Sequence, residues 1–289
     1  MKWKSLFIVF FWLLFLSSPV FALDQVNRFD SVVYVNEDAS VTVRERIEYE
    51  TDLKKHGIFR YIPERYSRNG FVYWTRVEGV VVSDETGSPH PFSRSYDDGN
   101  VMLKIGDPDR TFSGERVYVI EYRLEDAIRR YDGYDELYLD VTGEGWQIPI
   151  VSSSVVVVSP PTTILDSACF SGLFGSNDEK CKSLIVNNIN ESFDVGFSSD
   201  NIGALVALPD DSEKVTGFVY DHEIGYGKNF SVAVKLDPNG EIVFPTVWER
   251  VVSFFQLNWL VFVLPLPLVG MIGMWLKFGR DRTFVSANI

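Results

Sequence analysis

The sequence is poor in the residues that most often carry chemistry, with two cysteines and three histidines in 289 residues. His56, His90 and His222 are too scattered to declare a metal cluster, and none lies close enough to the cysteines to complete a zinc site. A Gly-x-Ser-x-Gly elbow, a phosphate-cradling glycine loop and a His-Glu-x-x-His pair are all missing. The commonest nucleophilic, nucleotide-binding and zinc-peptidase signatures therefore do not apply. No cofactor is expected, and a non-enzymatic role is favoured over an enzymatic one. Positive charge is scarce as well: residues 23 to 250 carry 22 basic and 39 acidic side chains, net −17. Such a surface repels nucleic acid and anionic headgroups, which excludes a nucleic-acid partner. Strong helical periodicity is absent from the same stretch, and an all-β class follows.

What is present at the two ends points to a membrane. Lys2 and Lys4 precede an apolar run from Leu6 to Leu16, which Ser17, Ser18 and Pro19 end before Val20-Phe21-Ala22. This order predicts a secretory signal peptide over 1–22, since the apolar run is too short to span. Residues 257–276 contain no ionisable group, with Trp259 and Trp275 near the ends and Lys277, Arg280 and Arg282 just beyond. Twenty such residues predict one transmembrane helix through which the chain meets the lipid bilayer. The basic flank places the short 277–289 tail in the cytoplasm and the acidic bulk outside it. Pro265 and Pro267 are expected to kink the span. In 246–256, Val247, Val251, Phe254 and Phe255 fall near one helical face, a membrane-proximal segment lying along the bilayer surface.

Between the ends, period-two segments alternate with turn residues. A hairpin is predicted with strands near 29–35 and 41–49. Further strands are expected at 77–82, 101–105, 116–124, 137–141, 146–158, 192–197, 203–208, 216–220 and 230–236, with Tyr118, Ile120, Tyr122 and Leu124 sharing a face. This spacing predicts an antiparallel β-sandwich ectodomain. Its length allows two Ig-like sandwiches, 23–142 and 143–245, joined near Gly143-Glu144-Gly145. Glu45 falls in the apolar row of the first hairpin, so it lies either at a sheet margin or paired inside, and the margin is favoured because charged residues are seldom fully buried.

Cys169 and Cys181 both lie in the exported region, where a disulfide is the default, closing a loop worth roughly 3 kcal/mol in the chain-entropy model. Acids are plentiful at Asp97, Asp98, Asp107, Asp109, Asp132, Asp135 and Glu136. They permit a carboxylate-dependent envelope hydrolase or a calcium loop, but solvated turns are the simpler reading.

The stretch KKHGIFRYIPERY resembles a bacterial family of predicted membrane proteins carrying domain of unknown function 2207, through His56, Gly57, Ile58, Arg60, Ile62 and Pro63. KIGDPDRTFSG with YVIEYRLEDAI, and DELYLDVTGEGWQIPI, resemble two further family motifs, although Leu139-Asp140 stands where Trp-Asn is usual. The resemblance implies a signal peptide, a β-rich outer domain and a span in that order, but no reaction or catalytic residue. Family members usually continue into a longer cytoplasmic portion. His56, Arg60 and Glu45 are the motif residues to watch, as a site or as a loop pinned to the first hairpin. The function expected is an envelope interaction module that binds a protein, polymer or ion.

Overall fold

The computed structural model describes residues 22–68, 71–143, 145–160, 164–172, 181–186, 214–257, 263 and 265–279. The described residues up to Val243 form one compact unit, and those from Phe244 onward form a second. The first unit is mostly β. Its largest sheet contains β1 (Asp24–Val35), β2 (Val41–Lys55), β6 (Arg76–Ser83), β9 (Phe112–Glu125), β12 (Ile150–Ser159), β14 (Lys182–Val186) and β15 (Lys214–Tyr220), in the order β14-β15-β12-β1-β2-β9-β6. A three-stranded sheet has β8 (Asn100–Gly106) between β3 (Gly57–Pro63) and β7 (Phe92–Asp97). A four-stranded sheet runs β10 (Ile128–Tyr131), β11 (Tyr134–Asp140), β16 (Asn229–Leu236), β13 (Ile164–Gly172), and β4 (Arg65–Arg68) pairs with β5 (Phe71–Trp74).

The alternation that identifies the strands also builds the core. On β2 the residues Val41, Val43, Ile47 and Tyr49 are buried, and on β9 Tyr118, Ile120, Tyr122 and Leu124 are buried too. The predicted hairpin forms with Val35 opposite Val41 and Val33 opposite Val43.

Two expectations about the sheets need correcting. Pairing is not wholly antiparallel: β1 and β12 run parallel, with Val32 opposite Val156. A parallel pair cannot be closed by a tight turn, and here more than a hundred residues intervene, which local pattern does not reveal. Strands from both sides of Gly143 thereby share one sheet, so the expected 142/143 junction separates no two sheets. Glu45 is also not at a margin. Strand β2 lies between β1 and β9, so its whole inward row is covered, Glu45 included.

In the second unit, α1 spans Val247–Leu257 and α2 spans Leu266–Phe278. Thr246 and Glu249 form a reciprocal capping box: the Glu249 N–H donates to Thr246 Oγ1 (3.2 Å) and the Thr246 N–H to Glu249 Oε2 (2.7 Å). Pro265 and Pro267 stand at the start of α2. A missing N–H costs little there, because the first-turn donors have no helical acceptor. Among the described residues no helix is long and apolar enough to cross a membrane. Helix α2 covers the second half of the expected 257–276 span, while 258–262 and 264 lie outside the described residues. So do residues 1–21 of the expected signal peptide, the strands expected at 192–197 and 203–208, and the tail beyond Gly279.

Candidate functional site

Three separate sequence motifs converge on one buried ion pair. Arg60 of β3 donates from Nε to Glu45 Oε2 (2.8 Å) and from Nη2 to Glu45 Oε1 (2.6 Å), and neither side chain is exposed at all. The Tyr122 hydroxyl on β9 donates to the same Oε1 at 2.6 Å. The remaining guanidinium protons reach three carbonyls, those of Val141 (3.0 Å), Thr142 (2.9 Å) and the adjacent Tyr61. Phe29 lies against the guanidinium, its ring centroid 5.2 Å from Arg60 Cζ. Burial alone would lower the Arg60 pKa, but the Glu45 charge and hydrogen bonds outweigh it and hold the pKa above its ordinary value. The Tyr122 hydroxyl is raised well above its usual range, first by burial and then by the Glu45 charge. The arrangement satisfies a buried charge pair completely, and it joins the seven-stranded sheet, the three-stranded sheet and the turn after β11.

Glycines make the approach geometrically feasible. Gly57 faces Gly106 in the β3–β8 register, and a Cβ on Gly57 would run into the Ile105 carbonyl. Gly143 adopts φ +69°, and a Cβ there would overlap Arg60 Nη1 and the Tyr61 carbonyl. Asp140 Oδ1 accepts from the Gly143 N–H (3.1 Å) and its Oδ2 from Asn229 Nδ2 (2.7 Å), which fixes this turn. Asn229 belongs to one glycosylation sequon and is buried by that contact. The departure at Leu139-Asp140 thus places the carboxylate where it holds the turn around Arg60.

Beside the knot, the outer face of β3 and the segment after Gly145 border an open cleft of about 340 Å³. Phe59 and Tyr61 point into it from β3, and Trp146 and Gln147 face them. Phe59 is half exposed. Trp146 is mostly buried, its indole N–H donating to the Thr142 carbonyl (2.8 Å) and its ring packing edge-on against Phe29. The other wall is polar: Asp24 accepts from the Tyr49 hydroxyl (2.5 Å) and from Lys55 Nζ (2.9 Å). Burial acts to raise the Asp24 pKa, but the hydrogen bonds from Tyr49 and Lys55 prevail and hold it below its ordinary value. Nothing in the local sequence pattern gives this cleft away, because its lining comes from β1, β2, β3 and the 145–148 segment.

The other candidates separate. His56 is exposed, and its Nδ1 lies 3.1 Å from the Asp107 carbonyl and 3.0 Å from that of Arg110. Both partners are acceptors, so Nδ1 carries the proton and His56 clasps the GDPDR turn. Asp107 accepts from the Asp109 N–H (2.9 Å), and Asp135 takes both Arg130 nitrogens at 2.9 Å. The acids of GDPDR and YDGYDELYLD do not line the cleft together. Among the described residues no three His, Cys, Asp or Glu side chains are grouped to hold a metal ion. Cys169 and Cys181 are joined in a disulfide, with Cα atoms 6.2 Å apart.

A family model described as the N-terminal domain of predicted membrane proteins, DUF2207, matches residues 25–228. The chain belongs to this family. In DUF2207 terms, the His-Gly-Ile-x-Arg-x-Ile-Pro stretch is β3 with its charged anchor, and Asp-Val-Thr-Gly-x-Gly-Trp is the turn that wraps the guanidinium. No curated protein matches. Among solved structures, the chain is similar to an M1 zinc metallopeptidase from Deinococcus radiodurans at 10% identity and TM-score 0.38, over 72% of this chain and 42% of that one. It is also similar to native leukotriene A4 hydrolase from Saccharomyces cerevisiae at 10% identity and TM-score 0.38, over 76% of this chain and 31% of that one. The chain spans less than half the length of either, and nothing about a reaction follows from likenesses this distant.

Proposed function

We propose that this DUF2207 protein is a membrane-tethered extracytoplasmic binding module whose ligand site is the cleft between β3 and the 145–148 segment. The observation that carries the reading is the combination of an open, part-aromatic, part-polar cleft with a rigid support built from the family motifs. Binding sites of this size are concave and largely preformed, with a few placed polar groups. Arg60 and Gly143 stand behind two of the cleft's walls and do not line it, so these two residues act as positioning groups and touch no ligand. Export by a signal peptide over 1–22 and anchoring through 257–276 agree with the family description and with α2. That helix is apolar except for Lys277 in its last turn and has no buried residue, which suits a lipid environment. In the exported bulk the sheets would stack as a sandwich, with the seven-stranded sheet as one layer.

Two measurements on the full chain in cells test this. A membrane-impermeant maleimide should label Ser95→Cys in intact cells and Ser286→Cys only after permeabilisation, and the reverse pattern overturns the orientation. Detergent-solubilised full chain on beads should retain a protein or polymer from the envelope fraction, and Phe59→Asp should lose it. Equal retention by the variant overturns the cleft as the site.

A further inference from the structure

We infer that the cleft takes a neutral saccharide chain, an inference that rests on the reading of the cleft as the binding site and names its ligand class. Charge gives the first argument. The exported region is strongly acidic, yet the two charges lining this cleft, Asp24 and Lys55, are paired with each other at 2.9 Å. A site whose own charges cancel selects neither a cationic nor an anionic ligand. Inorganic phosphate, lipid headgroups and metal ions are therefore poor candidates.

Hydrogen-bonding capacity gives the second. The Lys55 ammonium has three donors and spends one on Asp24, while Asp24 carries about four lone-pair sites and accepts from Lys55 and Tyr49. Donors and acceptors left over on adjacent side-chain tips suit hydroxyl groups, which donate and accept at once. The third argument is the opposite wall. Phe59 and Tyr61 are two residues apart on one strand and so project from the same face about 6.7 Å apart, two successive apolar platforms. A pyranose ring has an apolar C–H face and an equatorial rim of hydroxyls, so a chain of such rings lying along β3 would set its faces on Phe59 and Tyr61 and its rim toward Asp24, Lys55 and Gln147. Gly145 belongs to this design: at φ +88° it has no Cβ, and one there would sit 2.9 Å from the Tyr61 ring.

The test uses detergent-solubilised full chain and calorimetric titration with the neutral tetrasaccharides chitotetraose, cellotetraose and maltotetraose, beside an end-blocked tetra-alanine peptide. At least one saccharide should bind saturably with a Kd of about 0.1–1 mM. Its affinity should be nearly unchanged between low and high NaCl, since no counterions are displaced by a neutral ligand. Phe59→Ala should weaken it about tenfold with an unchanged Tm, because Phe59 is half exposed and outside the core. Lys55→Met should weaken it less. Saccharide binding that Phe59→Ala leaves intact overturns the placement in this cleft. Binding of the peptide alone, lost in Phe59→Ala, overturns the saccharide assignment and leaves the cleft reading standing. Binding of neither overturns the saccharide assignment, and the envelope-retention experiment then decides the cleft separately.

Discussion

Two carboxylate–cation pairs in this molecule differ mainly in how much water reaches them. Glu45–Arg60 is closed off completely, and its guanidinium is shared among one carboxylate and three carbonyls. Asp24–Lys55 has a comparable contact of 2.9 Å but leaves 37% of the Lys55 side chain exposed. Coulomb energy rises as the local dielectric falls, and so does the cost of leaving a charge without its partner. The first pair is therefore part of the architecture, and the second is part of a surface on which a ligand can compete for the same groups.

Removing Arg60 should give the largest effect. In Arg60→Ala the Glu45 carboxylate loses its cation in a dry interior and keeps only the Tyr122 hydroxyl, and the carbonyls of Val141 and Thr142 lose the guanidinium, so destabilisation of about 3–5 kcal/mol is expected. Urea unfolding of the full chain in detergent, followed by tryptophan fluorescence, checks it. Glu45→Leu combined with Arg60→Met should recover part of the loss, because the uncompensated charge is gone while the carbonyls still lack the guanidinium. No recovery would mean that the knot stabilises mainly through its carbonyl contacts. Next in size is Gly143→Ala, which demands φ +69° of a residue with a Cβ and places that Cβ on Arg60 Nη1 and the Tyr61 carbonyl. About 1–3 kcal/mol is expected from the backbone alone. If the cost of Gly143→Ala falls in the Arg60→Ala background but leaves this backbone part, the steric remainder belongs to the guanidinium.

The contrast between the pairs also marks what the sequence could show. Tyr118, Ile120, Tyr122 and Leu124 announce a buried face by alternation, because strand periodicity is local. Glu45 breaks the same rule at the centre of β2, and its partners are far off: Arg60 lies 15 residues away and Tyr122 77 away. A buried charge is improbable when considered alone and stable only when its partner is known, so the expectation of a sheet margin failed on non-local information. The strand β3 was visible only as a family motif. Seven residues between Gly57 and Pro63, with Arg60 and two aromatics among them, do not stand out as a strand. The parallel β1–β12 pair and the cleft share that fate, being made from segments more than a hundred residues apart.

The smallest effect belongs to the exposed pair and should be legible through pH. At neutral pH, Lys55→Ala should cost about 0–1 kcal/mol, the range for a pair that solvent screens. Asp24 is held below its ordinary pKa in the fold, so its contribution is present above the unfolded carboxylate value of about 4 and fades as pH falls through the lower folded value. Unfolding of wild type and Lys55→Ala should therefore converge in acid, once pH has fallen through the lowered Asp24 value, and differ most near neutrality. Adding salt at pH 7 should narrow the same gap, since a partly exposed pair is screened. The Arg60→Ala deficit should hardly respond to salt, because no ions reach a pair with no exposed surface. A salt-sensitive Arg60→Ala deficit would show that water enters the knot, and the division between architectural and ligand-facing charge would then fail.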